Sequence, residues 1–464
     1  MMKDKIRVMV PVHAPDLNLE FGNVREADKA RAILYVFYGK KQQLSNENFW
    51  PTLSRDGGWF PVTAVELKFV AGNDYQSHVE KLIQLGVIER KDKPNGGKSY
   101  VPNSLSMLYR VVFGPKVTAK DRKYRPEYIT NKIRVRRLLD FFKKDYKLQR
   151  AKFLSKNRWF GDNLRFMEKM YLSPAAVNYA EDEGGKRSDQ LLGVISQFNA
   201  GTHRFISVDA FAGRYHHHLG MINRELRRFL RLKGSDEYLL QADVKSAQPY
   251  LIGSILYKPE LLQQLPEFAA VKPILEKYSN KPDVRLFFED AANGVLYDKL
   301  MKLTGLSKPE VKLFFFRDVF FSAADNHNKR QEIREQRMKN RMLFRSLYPS
   351  VYDALTDLKR IRKEDLPLVY ELTSRNGKRG RMYATPAMLA QRLETRLFLH
   401  GVTRQLTVKE VVVGTIHDAW IMKQSDLDGF MEVYNQVFQD LDIKAPQLTV
   451  EVLKTDDNII APEK

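Results

Sequence analysis

No cysteine occurs anywhere in the 464 residues. That absence excludes a disulfide-stapled scaffold and a thiolate zinc site, and it accords with a reducing, cytoplasmic location. Long apolar runs are missing as well. No stretch approaches the length of a membrane span, and the N-terminus lacks a secretory signal pattern, so a membrane is not among the expected partners. Acidic residues are comparatively few: 56 Asp and Glu stand against 77 Lys and Arg, a net charge of +21. Such an excess points to a polyanionic partner, most often nucleic acid, although a basic, solvated surface gives the same sum. What is plentiful is apolar. The hydrophobic fraction of 43% describes a globular chain, long enough for two or three domains.

Three blocks follow from a pass along the chain. In the first, residues 1–115, Val79, Leu82 and Ile83 recur at helical spacing and Gly86 ends the helix. Two strand-like runs, Val87–Arg90 and Leu108–Val112, flank turn chemistry at Pro94, Asn95, Gly96 and Gly97. A helix followed by a basic hairpin looks like a winged-helix domain, with Lys91, Lys93 and Lys98 available to phosphates. A small structural or protein-binding domain fits the same pattern. The second block, 116–205, is helical and basic. Its "NKIRVRRLLDFFKKDYKLQR" reads either as a solvated helix face or as a thumb-like strut along a duplex backbone. Its "AEDEGGKRSDQ" reads as a loop. The third block, 206–464, carries the chemistry at three places.

The first place is "EYLLQADVKSAQPYLIGSILY". Tyr238–Ala242 reads as a strand closed by Asp243. A helix follows, with Ser246 as N-cap and Pro249 in its first turn. An Asp at a strand end points into the cleft beyond the sheet; taken alone it is equally a cap or turn residue. The second is "LSKPEVKLFFFRDVFFSAADN". Ser307 and Glu310 form a capping box, with Pro309 in the first turn. Lys308, Lys312, Phe316 and Phe320 recur every four residues and share one stripe. Two cations followed by two rings suit a nucleoside triphosphate, while an ordinary amphipathic helix has its aromatics in the core and lysines at the rim. The third is "VVVGTIHDAW". Val411–Ile416 reads as a strand, the apolar residues after Asp418 as its return, and His417 and Asp418 as the hairpin tip. A buried carboxylate there needs a partner. Asp243 and Asp418 together can hold two Mg²⁺, or Mn²⁺, whereas an Asx-turn beside a solvated histidine is the plainer reading.

In this order, the three places resemble motifs A, B and C of family A DNA polymerases and the related single-subunit phage-type RNA polymerases. "AGRYHHHLGMINRELRRFL" looks like the segment that precedes motif A. "TPAMLAQRLETRLFL" looks like the helix before motif C, and "APQLTVEV" like a strand near the family's C-terminus. The resemblance covers roughly residues 206–464. It implies an α+β right-hand polymerase of palm, fingers and thumb, preceded by the winged helix. The activity implied is template-directed nucleotidyl transfer on a primer–template or a single-stranded template, using nucleoside triphosphates.

Residue by residue, the resemblance assigns the metals to Asp243 and Asp418. It assigns the triphosphate to Lys312, which also serves as acid toward pyrophosphate, and to Lys308, where the family usually has Arg. Phe316 faces the incoming nucleotide, and Phe320 stands where the family has Tyr, with Phe321 in place of the following Gly. Arg214 and Gln391 contact nucleic acid, and His417 braces the primer terminus. Two departures bear on sugar choice. Gln248 replaces the family's Glu five residues after the motif A Asp, and Phe320 lacks a hydroxyl. RNA polymerases of the group usually have a small residue at the first position and Met at that of Phe316, so the balance favours deoxynucleotides. The first 205 residues hold no Asp-x-Glu exonuclease motif, so no proofreading is expected. The rival readings are an RNA polymerase or primase, and an idle DNA-binding protein. His216, His217 and His218 are adjacent and cannot all face one ion. "HNKRQEIREQRMKNRMLFR" reads as a basic helix, free for template phosphates or simply solvated.

Overall fold

The computed structural model describes residues 6–46, 60–91, 107–112, 124–202, 204–321, 331–374 and 380–454. Helices predominate and strands are short, so the class is a mostly helical α+β protein. The chain forms two compact units. One comprises Met1–Phe153 with Tyr171–Ile206, the other Leu154–Met170 with Ser207–Lys464. The middle block of the sequence is thus divided between them.

The first unit is built on the helix Val24–Asn46. It buries Ala27, Ala30, Ile33, Leu34 and Phe37 in a core of its own. An antiparallel ribbon of Ile6–Pro11 and Tyr124–Ile129 supplies Val8, Val10 and Ile129 to the same core. A capping box starts the helix Ala64–Ala71: the Thr63 hydroxyl accepts from Glu66 N–H at 3.1 Å, and the Glu66 carboxylate accepts from Thr63 N–H at 2.7 Å. The expected helix is Tyr75–Gln84, with Val79 and Leu82 buried and Gly86 beyond it at φ +65°. Ile88–Arg90 and Met107–Val111 pair antiparallel, and Phe60–Val62 joins the other side of Met107–Val111. The turn at Pro94–Gly97 and the lysines at 93 and 98 lie outside the described residues; Lys91 is partly buried.

The basic run is helical, as part of Lys132–Lys156. The acidic, glycine-containing run is not a loop. Ala175–Asp182 and Gly185–Ala200 are both helices, with only Glu183 and Gly184 between them. Glu, Lys, Arg and Gln are good helix formers, and Gly184, at φ +64°, makes the break in a single positive-φ residue.

The second unit carries a four-stranded antiparallel sheet. Its strands are β1 (Leu239–Val244), β2 (Gly414–Ile416), β3 (Ala419–Lys423) and β4 (Leu448–Leu453), in the order β2-β3-β1-β4. Helix α1 (Ala247–Tyr257) leaves the end of β1 and is buried almost along its whole length. Its Gly253 permits the close approach, since a Cβ there would sit 3.2 Å from Phe288 Cα and the Phe287 ring. Ser246 does stand at the N-cap position, but its side chain makes no capping hydrogen bond. It adopts the left-handed conformation, φ +55°, because the chain turns from strand to helix in so few residues.

Helix α2 (Lys308–Phe314) starts with the expected capping box: the Glu310 carboxylate accepts from Ser307 N–H at 2.9 Å. At Phe315–Phe320 it widens into a π-helical segment. The wider turn corrects the expected four-residue stripe. Lys308 and Lys312 are exposed and Phe316 is half-buried, but Phe320 turns into the core and stacks on Phe315 at 5.6 Å. Phe321 stacks on Phe316 instead, at 5.6 Å. The chain before β2 also contains a π segment, Thr395–Thr403, following helix α4 (Thr385–Glu394).

The first π segment is held by Asp318, which is fully buried. Arg317 donates to its two oxygens at 2.7 Å each, Asn340 donates at 2.8 Å, and Arg337 stands 3.3 Å away. Asn340 and Arg337 belong to α3 (Gln331–Leu347), the basic helix expected from the sequence, which buries part of its charge here. Removing a buried, paired carboxylate leaves its partners unsatisfied. Asp318→Ala is expected to lower the unfolding free energy of the second unit by about 3–5 kcal/mol, and Asp318→Asn by less. Urea denaturation checks this; a loss under about 1 kcal/mol for the alanine variant contradicts the anchoring role.

Candidate active site

The carboxylates read from motifs A and C meet at one end of the sheet. Ile416 pairs with Ala419, so His417 and Asp418 form a two-residue hairpin turn. β3 pairs with β1 such that Asp243 is opposite Ala419, and Val244 N–H donates to the Asp418 carbonyl at 3.1 Å. The positive φ that a tight hairpin favours falls on His417, at +53°. A non-glycine residue there carries strain, of the order of 1 kcal/mol.

Burial, and then the charge of Asp418, push the Asp243 pKa up to about 6. Burial, and then the charge of Glu394, push Asp418 up to about 6. Both carboxylates are partly buried, and among the described residues neither has a cation within ion-pair distance. Arg224, Arg227 and Lys312 favour the Asp243 anion from further off, and Arg214 and Arg227 that of Asp418. Two hard-oxygen donors, desolvated and lacking a close counter-charge, fit divalent cations such as Mg²⁺. The one three-donor group among the described residues that has metal-binding spacing is elsewhere: Glu26, Asp74 and His78, in the first unit. There the Lys29 ammonium already bonds both carboxylates, at 2.8 and 2.5 Å.

Of the other expected residues, Lys312 acts on Asp243 and Arg214 on Asp418 electrostatically. The Lys312 ammonium lies 5.5 Å from the centroid of the buried Tyr297 ring. Tyr297 in turn lies near enough to Asp418 for that anion, after burial, to raise its pKa. Lys308 is exposed one turn earlier, and Phe316 is half-buried one turn later. Phe320 is absent from this open face. His417 is exposed at the hairpin tip, and Gln391 is half-buried on α4.

Sequence reasoning missed Glu394. It is only 3% exposed, yet it lies three residues beyond Gln391 and collects two of the expected site residues. Arg214 donates to both its oxygens, at 2.8 and 2.6 Å, and Gln248 Nε2 donates at 2.7 Å. The Arg214 guanidinium is therefore engaged by the protein rather than free for a strand, and the Gln248 amide nitrogen is turned away from open solvent. Burial, the leading influence, raises the Glu394 pKa, and Arg214 works against it. The available signal is a carboxylate on the apolar, buried face of the helix "MLAQRLETRLFL", beside Ala390 and Leu393, where an unpaired charge is too costly to leave. Asp209 and Arg227 were missed likewise. Asp209 orders the loop carrying Arg214 through hydrogen bonds from Ala212 and Arg214 N–H, at 2.6 and 3.0 Å.

The raised carboxylates fix the sign of a stability effect. Below about pH 3.8 both are protonated folded or unfolded. As pH rises toward 6 the unfolded chain loses the protons first, so the metal-free fold loses stability across that window. Asp418→Asn is therefore expected to stabilise the metal-free protein by roughly 1–2 kcal/mol at pH 7–8, with the gain vanishing toward pH 4. Added Mg²⁺ should raise the melting temperature of the parent and not of the variant. A pH-independent difference between the two proteins contradicts the assignment.

No protein-family model matches the chain, and no curated protein matches it. Among solved structures it is similar to the "POL domain of Pol1 from M. smegmatis complex with DNA primer-template and dNTP", at 13% identity and a TM-score of 0.28. The match covers 68% of this chain and 65% of that one, so this chain spans just under two thirds of that chain's length. A likeness this slight carries no argument about fold or activity.

Proposed function

We propose that the protein is a template-directed nucleotidyltransferase, a DNA polymerase of the family A type without proofreading. One observation carries the reading: Asp243, on β1, and Asp418, at the turn into the adjoining antiparallel β3, come together from far apart in sequence with no close cation among the described residues. Two bound Mg²⁺ would supply activation of a primer 3′-hydroxyl and charge stabilisation on the departing pyrophosphate.

The chain's own residues have separable tasks. Asp243 and Asp418 hold the cations. The exposed Lys308 and Lys312 meet the triphosphate, and Lys312 hands a proton to pyrophosphate as the bond between the α-phosphorus and the bridging oxygen breaks. Phe316 packs against the incoming nucleotide, while Phe320 holds the π segment behind it. His417 and Gln391 seat the primer–template, and Arg214, tied to Glu394, braces the site behind them rather than gripping the strand as the resemblance implied. The basic balance of the whole chain draws in nucleic acid, with the helix-and-sheet pattern of the first unit acting as a winged helix on the duplex.

A second reading, RNA polymerase or primase, is favoured by one contact. The Gln248 amide is drawn onto Glu394 at 2.7 Å, so it stands as a weaker barrier beside a ribose than an untethered side chain.

Primer extension with dNTPs and with NTPs, in Mg²⁺, separates these readings. Asp243→Asn or Asp418→Asn is expected to cut incorporation by at least about a thousandfold with the fold retained. A folded Asp418→Asn protein with full activity sinks the metal assignment. Sugar choice is read as kcat/KM for a dNTP against its matching NTP. The parent should prefer dNTPs while incorporating NTPs measurably. Gln248→Gly should raise NTP use selectively. Gln248→Glu, which sets a second carboxylate against Glu394, should lower kcat/KM for both classes. An unchanged ratio in the glycine variant removes Gln248 from sugar selection.

A further inference from the structure

The three consecutive histidines do not act as a group. His217 and His218 are buried, at 2% and 4% exposure, with Nε2 facing Thr415 and the Met167 carbonyl at 3.3 and 3.2 Å. His216, on the opposite face of the strand Tyr215–His217, keeps 41% of its side chain exposed. Its Nε2 lies 3.1 Å from Asp209 Oδ2. Its ring meets the ring of His417 edge to face, with centroids 5.9 Å apart.

Asp209 is well placed to fix that ring. The same carboxylate accepts from Ala212 and Arg214 N–H, and its backbone closes the loop through hydrogen bonds with Gly213 and Arg214. Gly213, at φ +74°, permits the turn. Burial alone would raise the Asp209 pKa, but hydrogen bonds from His216 and from the two N–H groups outweigh it and keep the carboxylate ionised. A rigid anion therefore holds His216 by one nitrogen. His417 has no such tether. Among the described residues its ring makes no hydrogen bond, and it projects, exposed, from a strained hairpin tip beside Asp418. The His216 ring is the aromatic neighbour that gives it a preferred orientation.

We propose that His216 is a positioning residue of the carboxylate site: anchored by Asp209, its ring orients the His417 imidazole, and through it the terminal phosphodiester of a bound strand. The strand-seating half rests on the nucleotidyltransferase reading; the orientation of His417 does not. His216 touches neither nucleotide nor metal in this scheme, and its effect passes through one ring contact.

Two measurements on the full chain test it. The first needs no activity: histidine 13Cε1 resonances, nine in all, with that of His417 assigned by its own substitution. Loss of the neighbouring ring in His216→Ala should shift the His417 signal, whereas His216→Phe, which keeps a ring edge in place, should largely preserve it. An unmoved His417 signal in His216→Ala overturns the proposal. The second is primer–template affinity by anisotropy in Ca²⁺, with extension kinetics in Mg²⁺. His216→Ala should raise the primer–template Kd and KM roughly tenfold while kcat changes far less, and His216→Phe should recover most of the loss. Asp209→Asn should fall between. A phenylalanine variant no better than alanine, or equal losses in kcat and affinity, overturns the seating role. If the unsubstituted protein binds primer–template but extends it with neither nucleotide class, the polymerase reading fails, and the resonance and binding arms still decide this one. If it binds no nucleic acid at all, the strand-seating half falls with that reading.

Discussion

Two like charges held side by side at the end of one sheet are the constraint on which the rest of the second unit depends. Asp243 is fixed by β1 and Asp418 by the tip of the β2–β3 hairpin, so backbone hydrogen bonds, not flexible side chains, force the two carboxylates together. Left to themselves they would bind protons or draw in an arginine. The surrounding cations stay in the middle distance instead, close enough to bias ionisation and too far to neutralise it. The strained backbone at His417 accompanies that turn.

A second buried charge organises the approach to the first. Glu394 sits on the buried face of α4, and its burial is tolerated because Arg214 grips it with two hydrogen bonds and Gln248 adds a third. Three segments of chain converge on that one group: the loop ordered by Asp209, the start of α1 and the end of α4. Its influence reaches Asp418 electrostatically, so the arrangement of this hydrogen-bonded cluster and the ionisation of Asp418 are coupled.

Much of this was legible from residues alone. The strand before His417, the strand carrying Asp243 and the Ser307–Glu310 box each follow from local rules, although the first is only Gly414–Ile416, with Val411–Val413 outside it, and the second runs one residue past Asp243 to Val244. The misses share a cause. A constant helical pitch puts Phe320 on the open face, and one wider turn carries it into the core. Ser246 was given a cap because serine caps are common, yet the sharpness of the strand-to-helix turn set its backbone instead. A carboxylate on the buried side of α4 signals that Glu394 needs a partner but not which, since Arg214 and Gln248 come from other elements, and Asp209 binds within its own loop, where no fixed spacing marks the contact. The glycine pair at 184–185 read as a loop because composition reports turn chemistry but not how few residues a turn needs.

The division of the chain has a consequence for synthesis. Leu154–Met170 belongs to the second unit but is made before Tyr171–Ile206, which belongs to the first. A ribosome therefore delivers a piece of the later unit in the middle of the earlier one. That piece includes Leu164 and Met167, both wholly buried once folded, and Asn163, whose side chain bonds Thr407 and the Val413 N–H. Those partners emerge some hundreds of residues later. Until then Leu164, Met167 and Asn163 are without the partners that bury them, so this stretch completes its packing only after the C-terminal part of the chain has been made.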